Sequence, residues 1–241
     1  MISKKGEMVD HTKFELIDRG KDRAAVLLPG WAMDHRIFEQ LDIEYNYLVP
    51  VQFSSGDFFD KLAEAIRQQG QRTIVVGWSF GGLLAAHFTI IYPELVEKTI
   101  LVSVKENYSQ NEIDKMKEYL ARNKTTYLKG FYRKCFSGQD AVEKDWFTSN
   151  LRDAYLREMD MSFLSSQLDF LKYNHMPVIG LREHLRKLVF IHGEKDAVIP
   201  LVEANALHKY LPGARFVTIK DAGHVPFLRP EFKSIMEKYH G

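Results

Sequence analysis

The chain has 241 residues, 45% of them hydrophobic and 27% charged, with a formal net charge of +1. That length suits one α/β unit carrying an insertion, and near-neutrality gives no global pull toward nucleic acid or an anionic membrane surface. A single cysteine excludes an internal disulfide, Met1 to Glu7 carry no apolar signal core, and no stretch approaches the roughly 18 apolar residues of a membrane span, so the expectation is a monomer in a reducing cytoplasm.

In chain order, Phe14 to Ile17, Ala24 to Leu28, Tyr47 to Val51 and Thr73 to Val76 read as strands, with a helix over Phe58 to Gln69. A second helix is predicted from Leu83 to Tyr92, where Pro93 stops it, and Lys98 to Val102 reads as the next strand. From Lys105 to Met176 no clear strand is visible. Apolar residues there recur at helical spacing, as in Ile113, Met116, Tyr119, Leu120 or Phe163, Leu164, Leu168, Leu171. Strands return at Lys187 to Ile191 and Ala214 to Ile219; helices are expected from Ile199-Pro200 and at the C-terminal end, to Tyr239. Strands alternating with helical crossovers predict a mainly parallel sheet covered on both faces. The expected organisation is an α/β core of residues 1–104 and 177–241, with a helical cap, 105–176, inserted over it.

The chemistry starts at Gly77-Trp78-Ser79-Phe80-Gly81, directly after a β-branched run and before a helix. A serine hydroxyl is a poor nucleophile unless a sharp turn exposes it and a base takes its proton. Glycines two residues either side of Ser79 permit that turn. An acid and then a histidine should follow, each on a loop beyond a strand. Asp196 and His224 meet both requirements, so all three leave the carboxyl edge of the sheet, where open α/β sheets place their chemistry. His224 would take the Ser79 proton and Asp196 would orient the imidazole. Asp221, on the same short loop as His224, is expected to shape that turn. The developing oxyanion needs two donors. Phe80 N–H, just after the nucleophile, is one; Trp31 N–H, on the Pro29-Gly30-Trp31 loop after an earlier strand, is the other, its indole walling the acyl pocket. Cys135 has no such turn and reads as a buried thiol or pocket wall. No metal-ligand spacing, phosphate loop or dinucleotide fingerprint occurs, so neither metal nor cofactor is expected.

These motifs resemble those of the α/β-hydrolase superfamily across the whole chain. Within it, the chain is most similar to the pimeloyl-acyl-carrier-protein methyl ester carboxylesterases of biotin synthesis. Leu28-Pro29-Gly30-Trp31 resembles that family's oxyanion turn, Gly77 to Gly82 its tryptophan-containing elbow, Phe131-Tyr132-Arg133-Lys134-Cys135-Phe136-Ser137-Gly138 an octapeptide lining its pocket, and Leu168 to Lys172 its return from the cap. Pro29 departs from the histidine found in many relatives, which removes a backbone donor and an imidazole. The resemblance implies substrate contacts from Trp31, Trp78, Ser79, Phe80, Phe131, Tyr132, Arg133, Lys134, Cys135 and His224. It also implies acyl-carrier protein as the partner bearing the substrate.

Between Arg122 and Lys134 lie five cations, Arg122, Lys124, Lys129, Arg133 and Lys134, and no acid, interleaved with Tyr127, Phe131 and Tyr132. That stretch suits either docking of an acidic carrier or a solvated amphipathic helix whose aromatics face inward. A nucleic-acid role is not supported, because no recognition motif accompanies it. The expected function is a serine carboxylesterase acting on the methyl ester of pimeloyl-acyl-carrier protein. The alternatives are a general short-acyl esterase, a lyase of quinone synthesis, or a non-catalytic small-molecule-binding module.

Overall fold

A computed structural model describes residues 11–239; Met1 to Glu7, where no signal core was read, lie outside them. Seven strands form one sheet: β1 (Lys13–Ile17), β2 (Ala24–Leu28), β3 (Asn46–Gln52), β4 (Thr73–Trp78), β5 (Val96–Val102), β6 (Leu188–Gly193) and β7 (Arg215–Ile219). Their order is β1-β3-β2-β4-β5-β6-β7, with only β1 antiparallel to its neighbour. The central strands β2, β4 and β6 are buried at every residue. A parallel sheet has helices on both faces, so these strands read as continuous apolar runs rather than alternations.

Strand order reverses between β2 and β4, since β3 lies on one side of β2 and β5 on the far side of β4. Such a switch point opens a crevice at the carboxyl ends. The Trp31 loop leaves β2 into that crevice and Ser79 leaves β4 into it.

Helix α1 (Phe58–Gln68) turns Phe58, Leu62, Ala63 and Ile66 toward the sheet. Helix α2 (Phe80–Ile91) buries residues around nearly its whole circumference. A helix apolar all round belongs in the interior.

Between β5 and β6 the described chain is helical. It comprises α3 (Gln110–Arg122), α4 (Lys124–Cys135), α5 (Ala141–Phe147), a π turn at Thr148–Arg152, α6 (Asp153–Glu158), α7 (Met161–Tyr173) and the short α8 (Val178–Leu181). Four of these starts carry side-chain caps. Ser109 accepts from Glu112 N–H, Asn123 from Thr126 N–H, Asp140 from Glu143 N–H, and Asp160 from Ser162 and Phe163 N–H. Each satisfies a backbone donor that the first helical turn leaves open. Two helices complete the core, α9 (Leu201–His208) and α10 (Pro230–Glu237).

Candidate active site

Ser79 sits between β4 and α2 with φ 53° and ψ −115°, a conformation that costs a residue with a side chain about 1–3 kcal/mol. The surroundings impose it. Ser79 N–H donates to Val102 O at 2.8 Å, and Ser79 O accepts from Gly82 N–H at 2.9 Å. The turn closes only because its flanks lack side chains: a Cβ on Gly77 would strike the Gly81 backbone, and one on Gly81 would strike the Leu28 carbonyl. Helix α2 therefore starts at Phe80, three residues earlier than predicted from sequence. Gly81 and Gly82 weaken a helix locally, yet here they allow it to pack against Leu28 and Val104. Phe80 N–H opens α2, where the first amides have no partner within the helix.

Asp196 and His224 come from loops after the adjacent parallel strands β6 and β7. Gly193 lets these loops touch, because a Cβ there would collide with the Gly223 carbonyl. His224 Nδ1 lies 2.8 Å from Asp196 Oδ2, and both side chains are out of solvent. The other carboxylate oxygen accepts from Val198 N–H at 2.8 Å and Ile199 N–H at 2.9 Å. Burial pushes the Asp196 carboxyl up, but His224, His192 and the Ile199 amide outweigh it and hold it below the usual carboxylate range. His224 Nε2 is buried and has no hydrogen-bond partner among the described residues. The His224 carbonyl accepts from the Trp78 indole at 2.6 Å, which ties the histidine to the residue before Ser79. Asp221 is exposed, pairs with Lys195 at 2.6 Å and has φ 57°, so it shapes the turn as expected.

Sequence reading missed His192, whose Nε2 lies 2.9 Å from Ile199 O and 3.5 Å from Asp196 Oδ2. Burial pulls its pKa below the ordinary histidine value. As a neutral ring it donates to Ile199 O and braces the loop that presents Asp196.

Beneath the cap lies a cavity of about 610 Å³, lined by Ser79, Trp31, Tyr108, Tyr127, Phe131 and Leu171. Glu112, Arg122, Asn123 and Lys134 add polar groups to the same wall. The Trp31 and Phe131 rings meet edge-on at 4.9 Å. The Trp31 indole donates to Leu164 O at 3.0 Å, which fastens the Pro29-Gly30-Trp31 loop to α7. Tyr108 was also missed. It follows β5 on the same carboxyl edge and lines the cavity with Ser79, and burial pushes its pKa well up, so the hydroxyl stays neutral. The signal available was its place on a loop beyond a strand end.

Several expected contacts fall elsewhere. Trp78, 1% exposed, does not line the cavity: its ring packs against Gly30, His224 and Phe227. The Phe80 ring faces a separate small hollow with Pro29, Phe53 and Gln167. Tyr132 is buried within the cap, donating to Ala32 O at 2.8 Å, and Cys135 is fully buried with its thiol pKa raised by burial. The five cations do not share one surface. Arg122 pairs with Glu118, and Lys124 donates to Met159 O at 2.7 Å. Lys134 faces the large cavity, whereas Lys129 and Arg133 line a hollow of about 330 Å³ together with Lys144 and Arg152. Helical geometry accounts for the split. Positions 123, 126–127, 130–131 and 134 form one face of α4, and 129, 132–133 and 136 continue another. Among the described residues no cluster could hold a metal ion, and no helix is long and apolar enough to cross a membrane.

Residues 25–232 match the model of the alpha/beta hydrolase family. The chain is 23% identical over 245 residues to a pimeloyl-[acyl-carrier protein] methyl ester esterase of Aliivibrio salmonicida, covering 90% of this chain and 91% of that protein. A protein of the same name from Nitrosomonas europaea is 26% identical over 227 residues, covering 84% and 89%. Among solved structures, an esterase from Exiguobacterium antarcticum superposes with TM-score 0.78 at 22% identity, covering 96% of each chain. A bromoperoxidase from Bacillus anthracis superposes with TM-score 0.75 at 18% identity, covering 95% of each. These two likenesses establish the fold and, differing in name, do not choose the reaction.

Proposed function

Because the chain belongs to the alpha/beta hydrolase family, we propose that it is a serine carboxylesterase in which Ser79, His224 and Asp196 act together. One observation carries this reading. Asp196 spends one oxygen on two backbone amides and the other on His224 Nδ1, which leaves Nε2 as an open, buried base. Ser79 Oγ gives its proton to that nitrogen and attacks the ester carbonyl; Phe80 and Trp31 N–H groups take the oxyanion. His224 then protonates the departing alcohol, and afterwards activates the water that frees the acid. Ser79 Oγ is not hydrogen-bonded to His224 Nε2 here, and such bonds commonly tighten only when substrate is bound.

The finer assignment is the methyl ester of a pimeloyl chain on acyl-carrier protein, cleaved in the cytoplasm for biotin synthesis. The names of the curated relatives support it. So do a cavity of about 610 Å³ with an aromatic lining and the cationic hollow on the other face of α4. An acidic carrier would meet Lys129 and Arg133 while its acyl arm passes Lys134 and Phe131 to reach Ser79.

The test has two arms. A fluorophosphonate should label the wild type and not Ser79→Ala, and the variant should lose several orders of magnitude of ester hydrolysis with its fold intact. Methyl-pimeloyl-carrier protein should be hydrolysed, and the gene should rescue a biotin-requiring strain lacking its own esterase. Activity on small esters with failure of both carrier tests would leave a general esterase. No labelling and no turnover would leave the binding-module reading.

A further inference from the structure

The backbone that carries His224 is held from the cap. Gly223 N–H donates to Gln139 Oε1 at 2.6 Å, and Gln139 Nε2 donates to Val225 O at 3.3 Å, so one side-chain amide grips the residues on both sides of His224. His224 N–H donates to Cys135 O at 3.3 Å. A Cβ on Gly223 would strike Ser137 O, so loop and cap segment lie backbone against backbone. The core adds the Trp78 indole on His224 O, Leu228 N–H on Val225 O at 3.2 Å, and the Gly193 backbone against Gly223. Gln139 is 4% exposed. A buried amide left unpaired loses the full cost of its desolvation, so its complete pairing here fixes its orientation. Glu143 completes that pairing, accepting from Gln139 Nε2 at 2.7 Å and from Asp140 N–H at 3.0 Å, with Arg229 Nε 3.5 Å away.

Asp196 holds one ring nitrogen of His224 and the Trp78 ring packs against the imidazole, so the remaining freedom lies in the backbone that carries it. The aim of Nε2 then depends on where the backbone of residues 223–225 stands, and Gln139 sets that. We propose that Gln139 is a positioning residue for the reaction, holding the His224 backbone from the cap so that Nε2 meets the Ser79 hydroxyl. It touches no reacting atom and acts only through His224. Since Gln139 lies four residues beyond the end of α4, the helix that lines both the substrate cavity and the cationic hollow, the same strap places cap and base in register.

This rests on the triad reading above, and the experiment separates the two. Gln139→Met keeps the volume and loses both hydrogen bonds to the His224 loop, as well as the one to Glu143. Its active sites are counted by fluorophosphonate titration and its kcat expressed per titrated site. A displacement of the base by about 1 Å costs on the order of 100-fold, so kcat should fall ~10–100-fold with KM within about twofold. A merely structural role would lower Tm and the number of titratable sites and leave kcat per site unchanged, which would overturn the proposal. Gln139→Glu is the second variant. Its carboxylate still accepts from Gly223 N–H but has no N–H for Val225 O, so it holds only one side of His224 and should also lose kcat per titrated site. Full kcat per site in Gln139→Glu would count against the strap. A wild type that takes no label would sink the triad reading; a labelled wild type beside a fully active Gln139→Met would sink this one alone.

Discussion

Asp196→Asn tests the site most directly, because the structure allows the new amide only one orientation. Oδ1 accepts from Val198 and Ile199 N–H, so the amide oxygen must stay there; turned over, its NH₂ would face two donors. The NH₂ group is thereby aimed at His224 Nδ1, now 2.8 Å from Asp196 Oδ2. Nδ1 must become the acceptor, the ring proton moves to Nε2, and Nε2 can no longer accept from Ser79. The imidazolium also loses its buried counter-charge. A triad locked in the wrong tautomer loses about 10⁴-fold in kcat, roughly 5 kcal/mol of barrier. The assay is turnover of a p-nitrophenyl ester near neutral pH, normalised to folded protein by thermal melting. Asp221→Asn, on an exposed pair with Lys195, serves as control and should stay within about twofold, since exposed ion pairs contribute little. Retention of a tenth of the wild-type rate by Asp196→Asn, or a larger loss from Asp221→Asn, would refute the assignment of the acid.

Three other outcomes follow from the same geometry. Gly81→Ala should lower stability by about 3 kcal/mol or more and abolish turnover, because the added methyl meets the Leu28 carbonyl rather than a side chain that could yield; calorimetry and kinetics together check it. His87 and His192 are both held below the usual histidine value by burial, so the unfolded chain binds their protons first. Stability should therefore fall as pH drops below about 6.5, and His192→Phe should flatten that slope in urea titrations at several pH values. Reversing Lys129 and Arg133 to Glu should raise KM for a carrier-bound ester about tenfold and weaken its salt dependence, as expected for electrostatic docking. Unchanged KM across salt concentrations would remove the hollow from the docking path.

The seven strands, the elbow and the loop positions of Asp196 and His224 were legible in the chain because each rests on local chemistry. Apolar β-branched runs report strands buried on both faces, Gly77 and Gly81 report a turn too tight for side chains, and a loop beyond a strand end has a fixed address in a parallel sheet. Which way a side chain leaves that address is settled elsewhere. Trp78 reads as a substrate contact, but its indole donates to the His224 carbonyl and its ring packs against Gly30, His224 and Phe227. The cap departs furthest from its reading. Its helices are amphipathic with more than one buried face, and sequence periodicity does not say which face meets a cavity, a neighbouring helix or the core. So the cation stretch is split, Lys129 and Arg133 in one hollow and Lys134 on another, Tyr132 and Cys135 turn inward, and Tyr108 joins the Ser79 cavity and Gln139 grips Gly223 and Val225 from segments with no motif of their own. The sequence carried the proposed triad, because its chemistry demands particular residue types at particular turns. The groups that aim and surround them were decided by packing between segments dozens of residues apart, where any side chain of suitable size and polarity could have served.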